Sequence, residues 1–475
     1  MKKISVYTIV ALIALMATTS CVKDFLDIKP RGNDIASKLE HFEGLLDAVN
    51  YLSMGSSTYM NMGEELCGDL KTEERLQTSE KDKGLYAFRF DRDPFQSENT
   101  CDEWETSYGR IYTANYVINN VMNAEDGTEA QKKRVQAEAR MQRAYLHFYA
   151  SLMFSKHFNE STADSDLSVP IVTKAGTEDS PTYKRATVAE LYNFVISEMT
   201  ESIPFLQDEY GKTRVSKAAG NMLLGKVYWY KGDYSNALTC FRNAMSMVKK
   251  FSGTPVQLLS FRDNNATWSG TKAYFNTFPE AGYSSESLLV RYMAQTTYVS
   301  ATQACLHYFK PEYVAMFKEG DLRAKFLAPS TTNTSMMRLV TRVYYNCMGD
   351  LPELYLLLAE CEARVGTESS ARDVLTEYRK SRFDSDAHAA IPSTVASKDD
   401  LIKFIVNERI LEYPGRGVSV IDMKRLWDDP LFASKKANFT HPVEGGQTYT
   451  LSSVDQLTWK IPLKVMKFHS DWQDN

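Results

Sequence analysis

The stretch that decides the fold is Leu224–Ala244, which reads LGKVYWYKGDYSNALTCFRNA. On each side of Gly232 its apolar and small residues recur every three or four positions, as in two amphipathic helices joined by a tight turn. Glycine suits such a turn because it adopts positive φ angles without strain. Gly225 and Ala237 are small enough to let the helices approach closely, and Phe241 fills the space around their crossing. The stretch therefore predicts a tightly packed helix pair.

The spacing L-G-x2-Y-x3-G-x-Y-x2-A-x3-F-x2-A in this stretch resembles a tetratricopeptide repeat. A degraded copy with the same spacing runs from Leu358 through Gly366 to Tyr378. Neither copy carries the consensus proline after its second helix, so a regular isolated array is not expected. Stacked helix pairs are the predicted architecture.

Three further helices are predicted upstream of this pair. The first begins near Glu103, and the second spans about Gln131–Phe158. The third begins after Thr187, an N-cap residue followed three positions later by Glu190, and continues to about Leu206. The chain is therefore predicted to be mainly α.

A loop-rich insertion is predicted at about 251–349, between helical scaffold segments at about 35–250 and 350–475. It is rich in Gly, Ser, Thr, Asn and aromatic residues, with short strands expected over Ser287–Met293 and Arg338–Tyr345. Binding sites favour loops held by a rigid scaffold. The insertion is therefore the predicted ligand-binding part of the chain.

The first twenty residues have the pattern of a secretory signal peptide. A positively charged start precedes the apolar stretch Ile4–Ala17, which is too short to span a bilayer. Small residues then lead to Cys21, as in the lipobox of bacterial lipoproteins, although Thr18 stands where leucine is commoner. Cys21 is therefore the predicted lipidation site, with 21–34 as a tether. Ordinary cleavage and an uncleaved anchor are the alternatives.

Composition excludes several classes of protein. The 475 residues are 43% apolar and carry a net charge of −5, and we find no basic run that would neutralise a phosphate backbone. Nucleic acid is therefore not an expected partner. The six cysteines after Cys21 have irregular spacing and no C-x2-C pair, which indicates neither a disulfide framework nor a zinc site. No metal or cofactor is predicted.

A series of short motifs runs in order along nearly the whole mature chain. The motifs are Cys21-x3-Phe25-Leu26-Asp27-x2-Pro30, Trp104-x3-Tyr108-x2-Ile111-x3-Asn115, Glu138-Ala139-Arg140-x2-Arg143-Ala144-Tyr145, Asp321-x-Arg323, Glu353-Leu354-Tyr355-Leu356-x2-Ala359-Glu360, Asn407-Glu408-Arg409, Asp422-Met423-Lys424-Arg425 and Ile461-Pro462. Together they resemble the SusD/RagB family of outer-membrane nutrient-binding lipoproteins. One departure is Arg416–Ser419, where the family often has E-G-x-R.

The resemblance implies a SusD-like fold in a lipoprotein anchored in the outer membrane and exposed on the cell surface. It also implies that the protein sits as a lid on a SusC-like TonB-dependent transporter. There it would capture oligosaccharides, or in some relatives peptides, without cleaving them. A surface peptide-binding or protein-interaction scaffold is the alternative. An exported hydrolase is a third hypothesis, for which only the acidic cluster Glu64, Glu65 and Asp69 offers candidate residues.

A sugar site needs flat aromatic platforms flanked by hydrogen-bonding groups. Two irregular stretches supply both kinds of group. The candidate ligand-binding residues are Trp268, Tyr274, Tyr283, Asn264 and Asn276 in the insertion, and Tyr59, Asn61 and Arg89 before the first long helix. Each ring could instead pack its loop onto the scaffold. Aromatic residues on the helices, such as Trp104 and Trp229, are predicted to be structural, and Asn115 to be a buried, hydrogen-bonded amide.

Overall fold

The computed structural model describes most of the mature chain. The described residues are 36–56, 67–68, 86–93, 101–176, 183–209, 211–252, 256–263, 285–294, 308–329, 337–339, 344–437, 439–442 and 447–475. Helices dominate them, which confirms the mainly α prediction. No described helix is both long and apolar enough to cross a membrane.

The helices fall into long scaffold helices and short connecting turns. The α-helices are α1 Leu39–Asp47, α2 Val49–Leu52, α3 Asp102–Asn120, α4 Glu129–Phe154, α5 Val188–Ser202, α6 Lys217–Lys231, α7 Tyr234–Val248, α8 Pro311–Val314, α9 Leu351–Val365, α10 Glu368–Lys380, α11 Asp386–Ala389, α12 Lys398–Glu412, α13 Val418–Arg425, α14 Ala433–Ala437 and α15 Leu463–Met466. The 3-10 helices are Val121–Asn123, Ile203–Phe205, Leu322–Phe326, Pro430–Phe432 and Val454–Leu457.

The strands are short and lie mostly beside the helical scaffold. They are β1 Ser53–Ser56, β2 Cys67–Gly68, β3 Leu167–Pro170, β4 Arg185–Thr187, β5 Ser287–Leu289, β6 Tyr292–Ala294, β7 Tyr308–Phe309, β8 Leu327–Pro329, β9 Met337–Leu339, β10 Tyr344–Asn346, β11 Gly349–Asp350, β12 Thr440–Pro442 and β13 Thr448–Thr450. Their pairings give small sheets ordered β1-β6-β10 and β2-β7-β9-β8, with two-stranded pairs β3-β4, β5-β11 and β12-β13.

Helices α6 and α7 form the pair that the opening stretch predicts. Gly232 ends α6 with φ at +85°, the left-handed conformation that the turn requires. A Cβ atom built on Gly225 would lie 2.6 Å from the Phe241 ring, so only glycine permits this crossing. Ala237 and Phe241 are fully buried. The residue types in this stretch therefore act as predicted.

The degraded repeat forms a second pair, α9 and α10, with Gly366 between them. Ala371, Leu375 and Tyr378 on α10 are fully buried. Helix α9 packs against α7 of the first pair and against α12, while α4 packs against α3 and α5. Stacked helix pairs thus form the scaffold, and one large hydrophobic core runs through them.

The helix ends agree with the sequence prediction where neighbouring residues determine the end, as at the start of α5, and differ from it where distant residues do, as at the end of α4. Thr187 and Glu190 form the predicted capping box, because the Thr187 hydroxyl accepts from the Glu190 N–H at 3.1 Å and the Glu190 carboxylate accepts from the Thr187 N–H at 2.8 Å. The predicted end of the preceding helix at Phe158 is wrong, since α4 ends at Phe154. Its last carbonyls accept hydrogen bonds from distant residues, including the Trp459 N–H to the Met153 oxygen at 2.9 Å.

The predicted strand over Ser287–Met293 is also wrong as a single element. It divides into β5 and β6 around Val290 and Arg291. The two halves pair with different partners, β5 with β11 and β6 with β1 and β10. Arg291 is 1% exposed, and its guanidinium donates to Gln142 and to backbone carbonyls. Burial of this arginine interrupts the strand.

Candidate binding site

Most of the predicted ligand residues lie outside the described part of the chain. They are Trp268, Tyr274, Tyr283, Asn264, Asn276, Tyr59 and Asn61, and the predicted lipidation site Cys21 lies outside it too. These residues stay predictions. Arg89 is described and half-buried, with its guanidinium carbon 5.5 Å from the centroid of the Tyr449 ring. It lies in a turn between Phe88 and Phe90.

A small cavity lined by four tyrosines lies where the residues of the predicted insertion meet the helical scaffold. Its volume is about 70 Å³, enough for a few water molecules. We call it the tyrosine cavity. Its lining consists of Tyr145, Tyr149, Tyr230, Tyr413, Leu152, Lys226, Asn346, Cys347, Asp350, Glu353, Arg409, Arg416, Val418 and Ile421. Aromatic rings, hydroxyls, an amide and charges of both signs converge here, as a site for polar ligands requires.

Asp350 is fixed in this cavity by two hydrogen bonds. It is the N-cap of α9, where its Oδ1 atom accepts from the Glu353 N–H at 3.1 Å. The same oxygen accepts from the Tyr413 hydroxyl at 2.5 Å. Burial, reinforced by the nearby Glu353 carboxylate, raises the pKa of Asp350 to about 6. Burial and the adjacent Asp350 also raise the pKa of Tyr413 well above its usual value.

Buried ion pairs form the floor of the cavity. Lys226 Nζ lies 2.9 Å from Glu353 Oε2, and Arg409 Nη1 lies 2.6 Å from Asp422 Oδ2. Burial acts to lower the pKa of Lys226, but the Glu353 carboxylate and two buried tyrosines raise it above its usual value. Lys226 therefore stays charged and paired with Glu353, which suits it to holding helices together rather than to transferring protons.

Arg416 lies at the mouth of the cavity. It is half-buried, and its guanidinium carbon is 5.0 Å from the centroid of the Tyr413 ring. Gly417 follows with φ at +75° and caps α13. The departure from the family pattern at Arg416–Ser419 therefore places an arginine beside the tyrosines. The buried Arg425 nearby pairs with Glu360, outside the cavity, at 3.0 Å.

A larger concave surface lies along α12. We call it the apolar groove, and its volume is about 600 Å³. It is lined by Glu312, Ala315, Met316, Lys318, Asp321, Arg379, Phe383, His388, Ala390, Pro392, Thr394, Val395, Phe404, Asn407, Glu408 and Leu411. The guanidinium of Arg379 covers the Phe383 ring at 4.2 Å and the Phe404 ring at 5.1 Å. These rings therefore offer little open face for a sugar.

The charged residues of the Asn407-Glu408-Arg409 motif make ion pairs with other helices and segments. Glu408 pairs with Arg323 at 2.7 Å and with Arg379. Glu412, one turn further along α12, pairs with Arg382 at 2.8 Å. These pairs tie α12 to α10, to Arg382 just after α10 and to the 3-10 helix Leu322–Phe326.

Asn115 and His147 are structural residues of the scaffold. The Asn115 amide donates to the Val172 carbonyl at 3.0 Å and accepts from Arg143 at 2.9 Å, as predicted for a buried amide. His147 Nδ1 donates to the Arg143 carbonyl at 2.9 Å, and Nε2 accepts from the Val172 N–H at 2.9 Å. Burial lowers the pKa of His147 to about 4. Across the described ranges no group of three or more His, Cys, Asp or Glu side chains could hold a metal ion.

Sequence reasoning missed the tyrosine cavity because its parts are far apart in the chain. Asp350 and Tyr413 are 63 positions apart, and each belongs to a different element. The segment from Asp350 to Glu353, with Pro352 between, carries a local N-cap signal that could have fixed the start of α9. No local signal brings Tyr413 or Arg416 to that cap.

The fold is a helical scaffold built on tetratricopeptide-like pairs. A family model described as "Starch-binding associating with outer membrane" matches residues 24–229. A curated relative, a SusD-like protein of Bacteroides ovatus, is 23% identical over 160 residues, which cover 33% of this chain and 27% of that protein. The match therefore spans about a quarter of the relative's length.

Solved structures share the fold over nearly the full chain. A SusD superfamily protein of Bacteroides thetaiotaomicron has a TM-score of 0.67 and 18% identity, covering 92% of this chain and 99% of that one. Surface glycan-binding protein A of Bacteroides uniformis has a TM-score of 0.64 and 18% identity, and the alignment covers 92% of this chain and 99% of that protein. These likenesses confirm the SusD-like fold of the chain, and the family model supports the resemblance to the SusD/RagB family over residues 24–229.

Proposed function

We propose that this protein is a non-catalytic glycan-binding lipoprotein of the cell surface. It would be held in the outer membrane by lipid on Cys21 and would pass captured oligosaccharides to a SusC-like TonB-dependent transporter. The observation that carries the proposal is the match of residues 24–229 to a starch-binding family associated with the outer membrane. The name of the Bacteroides uniformis relative, a surface glycan-binding protein, points the same way.

The chemistry of the described residues supports sugar binding beside the tyrosine cavity. Sugars present hydroxyl edges and apolar C–H faces, which tyrosines and fixed hydrogen-bonding groups accommodate. The cavity of about 70 Å³ is too small to enclose a sugar ring, so a glycan would rest at its mouth. Arg416 and Asn346 are the half-buried polar residues there. Trp268, Tyr274 and Tyr283 are the proposed platforms of the insertion.

The proposal of binding without cleavage is supported by the pairing of the charged groups described above. Glu353 is engaged by Lys226 and Arg409, and the oxygen of Asp350 is engaged by Tyr413. A glycosidase needs one carboxyl group as acid and another as base or nucleophile. Carboxylates held in structural pairs are poorly suited to either role.

Electrophoresis through gels containing dissolved polysaccharide tests the proposal. Purified protein should migrate more slowly in a gel with the recognised glycan than in a plain gel, while the chain length of that glycan stays unchanged after incubation. Shortened chains would indicate a hydrolase. Normal migration across plant, host and microbial glycans would reject glycan capture.

Peptide binding is the second candidate, and the apolar groove favours it. The groove offers about 600 Å³ with apolar walls, within the range of ligand pockets, and its buried charges are already paired. Leu411→Arg would place a charge in this groove. If the protein binds peptides there, this substitution should abolish peptide binding measured by fluorescence polarisation and leave migration in glycan gels unchanged.

A further inference from the structure

One carboxylate oxygen in the tyrosine cavity is open to a ligand. The hydrogen bonds from the Glu353 N–H and the Tyr413 hydroxyl both end on Asp350 Oδ1. Asp350 Oδ2 has no hydrogen-bond partner among the residues that the structure describes, and it is not among their fully buried atoms. The cavity therefore offers one hydrogen-bond acceptor whose position is fixed by the bonds to the other oxygen.

The hydroxyl of Tyr230 supplies a donor to the same cavity. This hydroxyl lies close enough to Lys226 and Glu353, on the cavity floor, for their charges to act on its pKa. Burial raises the pKa of Tyr230 above its usual value, so the hydroxyl keeps its proton and can donate it to an acceptor. Within the described ranges it makes no hydrogen bond. The cavity can therefore bind a group that both donates and accepts.

The charged residues that line the cavity favour a neutral group. Lys226 and Arg409 contact the Glu353 carboxylate at 2.9 and 3.4 Å, and the charge of Arg416 acts on Asp350. Each cation of the described lining thus already faces a carboxylate. With a pKa of about 6, Asp350 is mostly ionised at pH 7 and would repel a carboxylate or sulfate on a sugar.

The size and walls of the cavity distinguish between the neutral substituents of sugars. Its volume of about 70 Å³ holds a few water molecules, which is also the bulk of an acetamido group. Leu152, Val418 and Ile421 give it an apolar wall, against which a methyl group is favourably removed from water. A hydroxyl or hydroxymethyl group has no methyl to cover this wall. An acetamido group has a donor, an acceptor and a methyl.

We propose that the tyrosine cavity receives the acetamido group of an N-acetylated sugar, whose ring stays at the mouth. The acetamido N–H donates to Asp350 Oδ2, and the acetamido carbonyl accepts from the Tyr230 hydroxyl. The methyl packs against the apolar wall. This inference rests on the proposed function and narrows the captured glycan to one that carries acetamido sugars.

Saturation-transfer difference NMR with monosaccharides tests the proposal independently of linkage. N-acetylglucosamine is compared with glucose, and N-acetylgalactosamine with galactose, because each pair differs only in the substituent at C2. We expect the acetyl methyl protons to receive the strongest saturation. At least one N-acetyl sugar should bind about tenfold more tightly than its counterpart, from the methyl contact and the added hydrogen bonds. No preference within either pair would overturn the proposal.

Failure of this inference can be distinguished from failure of the proposed function. If an unacetylated polysaccharide slows the protein in gels while neither monosaccharide pair shows a preference, the acetamido assignment is wrong and glycan capture stands. If no polysaccharide slows the protein and no monosaccharide gives a saturation signal, both are wrong.

Two substitutions assign the preference to the cavity. Tyr230→Phe removes the donor and keeps the ring, whereas Asp350→Asn keeps an N-cap oxygen but presents an amide donor to the ligand N–H. Each should remove most of the preference in protein with an unchanged circular dichroism spectrum. Tyr192→Phe is the matched control, because Tyr192 on α5 is 4% exposed, as Tyr230 is, but does not line the cavity. A preference undiminished in both cavity variants, or lost equally in Tyr192→Phe, would contradict the assignment.

Discussion

The hydroxyl of Tyr413 donates a 2.5 Å hydrogen bond to the carboxylate of Asp350, which also caps α9. Tyr413 immediately follows α12, so this bond joins two helices at the wall of the tyrosine cavity. Because burial raises the pKa of Asp350 to about 6, the folded protein holds a proton there over a pH range in which the unfolded chain has lost it.

The stability of the protein should therefore fall as pH rises through this range. Between about pH 4 and 6 the folded state binds more protons at Asp350 than the unfolded state, so ionisation of this residue favours unfolding. Asp350→Asn removes the titration and keeps an N-cap side chain. From pH 4 to pH 7, the free energy of unfolding of the wild type, measured in urea, should fall by about 1 to 3 kcal/mol more than that of Asp350→Asn. If the unfolding free energies of the two proteins changed with pH in parallel, the raised pKa of Asp350 would be contradicted.

Gly225→Ala should destabilise the first helix pair. Its new Cβ atom would lie 2.6 Å from the fully buried Phe241 ring, so the crossing must widen, at a cost of about 1 to 3 kcal/mol. Gly109→Ala on α3 is the matched control, because its Cβ atom would meet nothing within 4 Å and should stabilise the helix by about 0.5 to 1 kcal/mol. Thermal unfolding of both variants checks the contrast, and equal shifts in melting temperature would disprove it.

Arg425→Ala should be severely destabilising. The Arg425 guanidinium pairs with Glu360 at 3.0 Å and covers the Trp229 ring at 3.7 Å, all within the core. Its loss removes one of the two arginines paired with the buried Glu360 carboxylate, which keeps Arg364 at 2.7 Å, and it also uncovers the Trp229 ring, at a cost of about 3 to 5 kcal/mol. Lys133→Ala, which breaks an exposed pair with Glu129, should cost less than about 1 kcal/mol. Denaturant unfolding compares the two, and a small effect of Arg425→Ala would refute the structural role of this pair.

Trp268→Ala should weaken glycan retention without lowering the melting temperature. Loss of one aromatic platform is expected to lower the affinity about tenfold, as measured by migration in polysaccharide gels. Tyr112→Ala is the control, because Tyr112 is 49% exposed on α3, outside the predicted site. Unchanged affinity in Trp268→Ala would remove this residue from the site.

Cys21→Ala should release the protein from membranes. A lipid-modified cysteine carries several acyl chains, enough for stable attachment, whereas the described helices offer no membrane span. Fractionation of cells producing the variant, with immunoblotting of membrane and released fractions, measures the change. Continued firm attachment in high salt would show that another element holds the protein.

Elements built on local contacts were predictable from the sequence. The turn at Gly232, the close crossing at Gly225 and the capping box at Thr187 each depend on residues within a few turns of helix. The end of α4 was not predictable, because its last turn is held by Lys424 and Trp459, more than 250 positions away. The division of β5 from β6 likewise follows from the burial of Arg291 against Gln142.

The candidate site was less accessible to sequence reasoning than the scaffold. Aromatic and amide residues in a polar insertion point to a binding surface by their chemistry, as at Trp268 and Asn276, but composition gives no geometry. The tyrosine cavity forms only when α4, α6, α9 and the residue after α12 meet. Arg416 was visible as a departure from the family pattern, and its contact with Tyr413 depends on that assembly.

The end of α4 has a consequence for how the chain reaches its folded state. The carbonyls of Leu152 and Met153 accept from Lys424 and from the Trp459 N–H, so the central helix is completed only after those residues have been synthesised. A chain still leaving the ribosome therefore lacks the contacts that close its core.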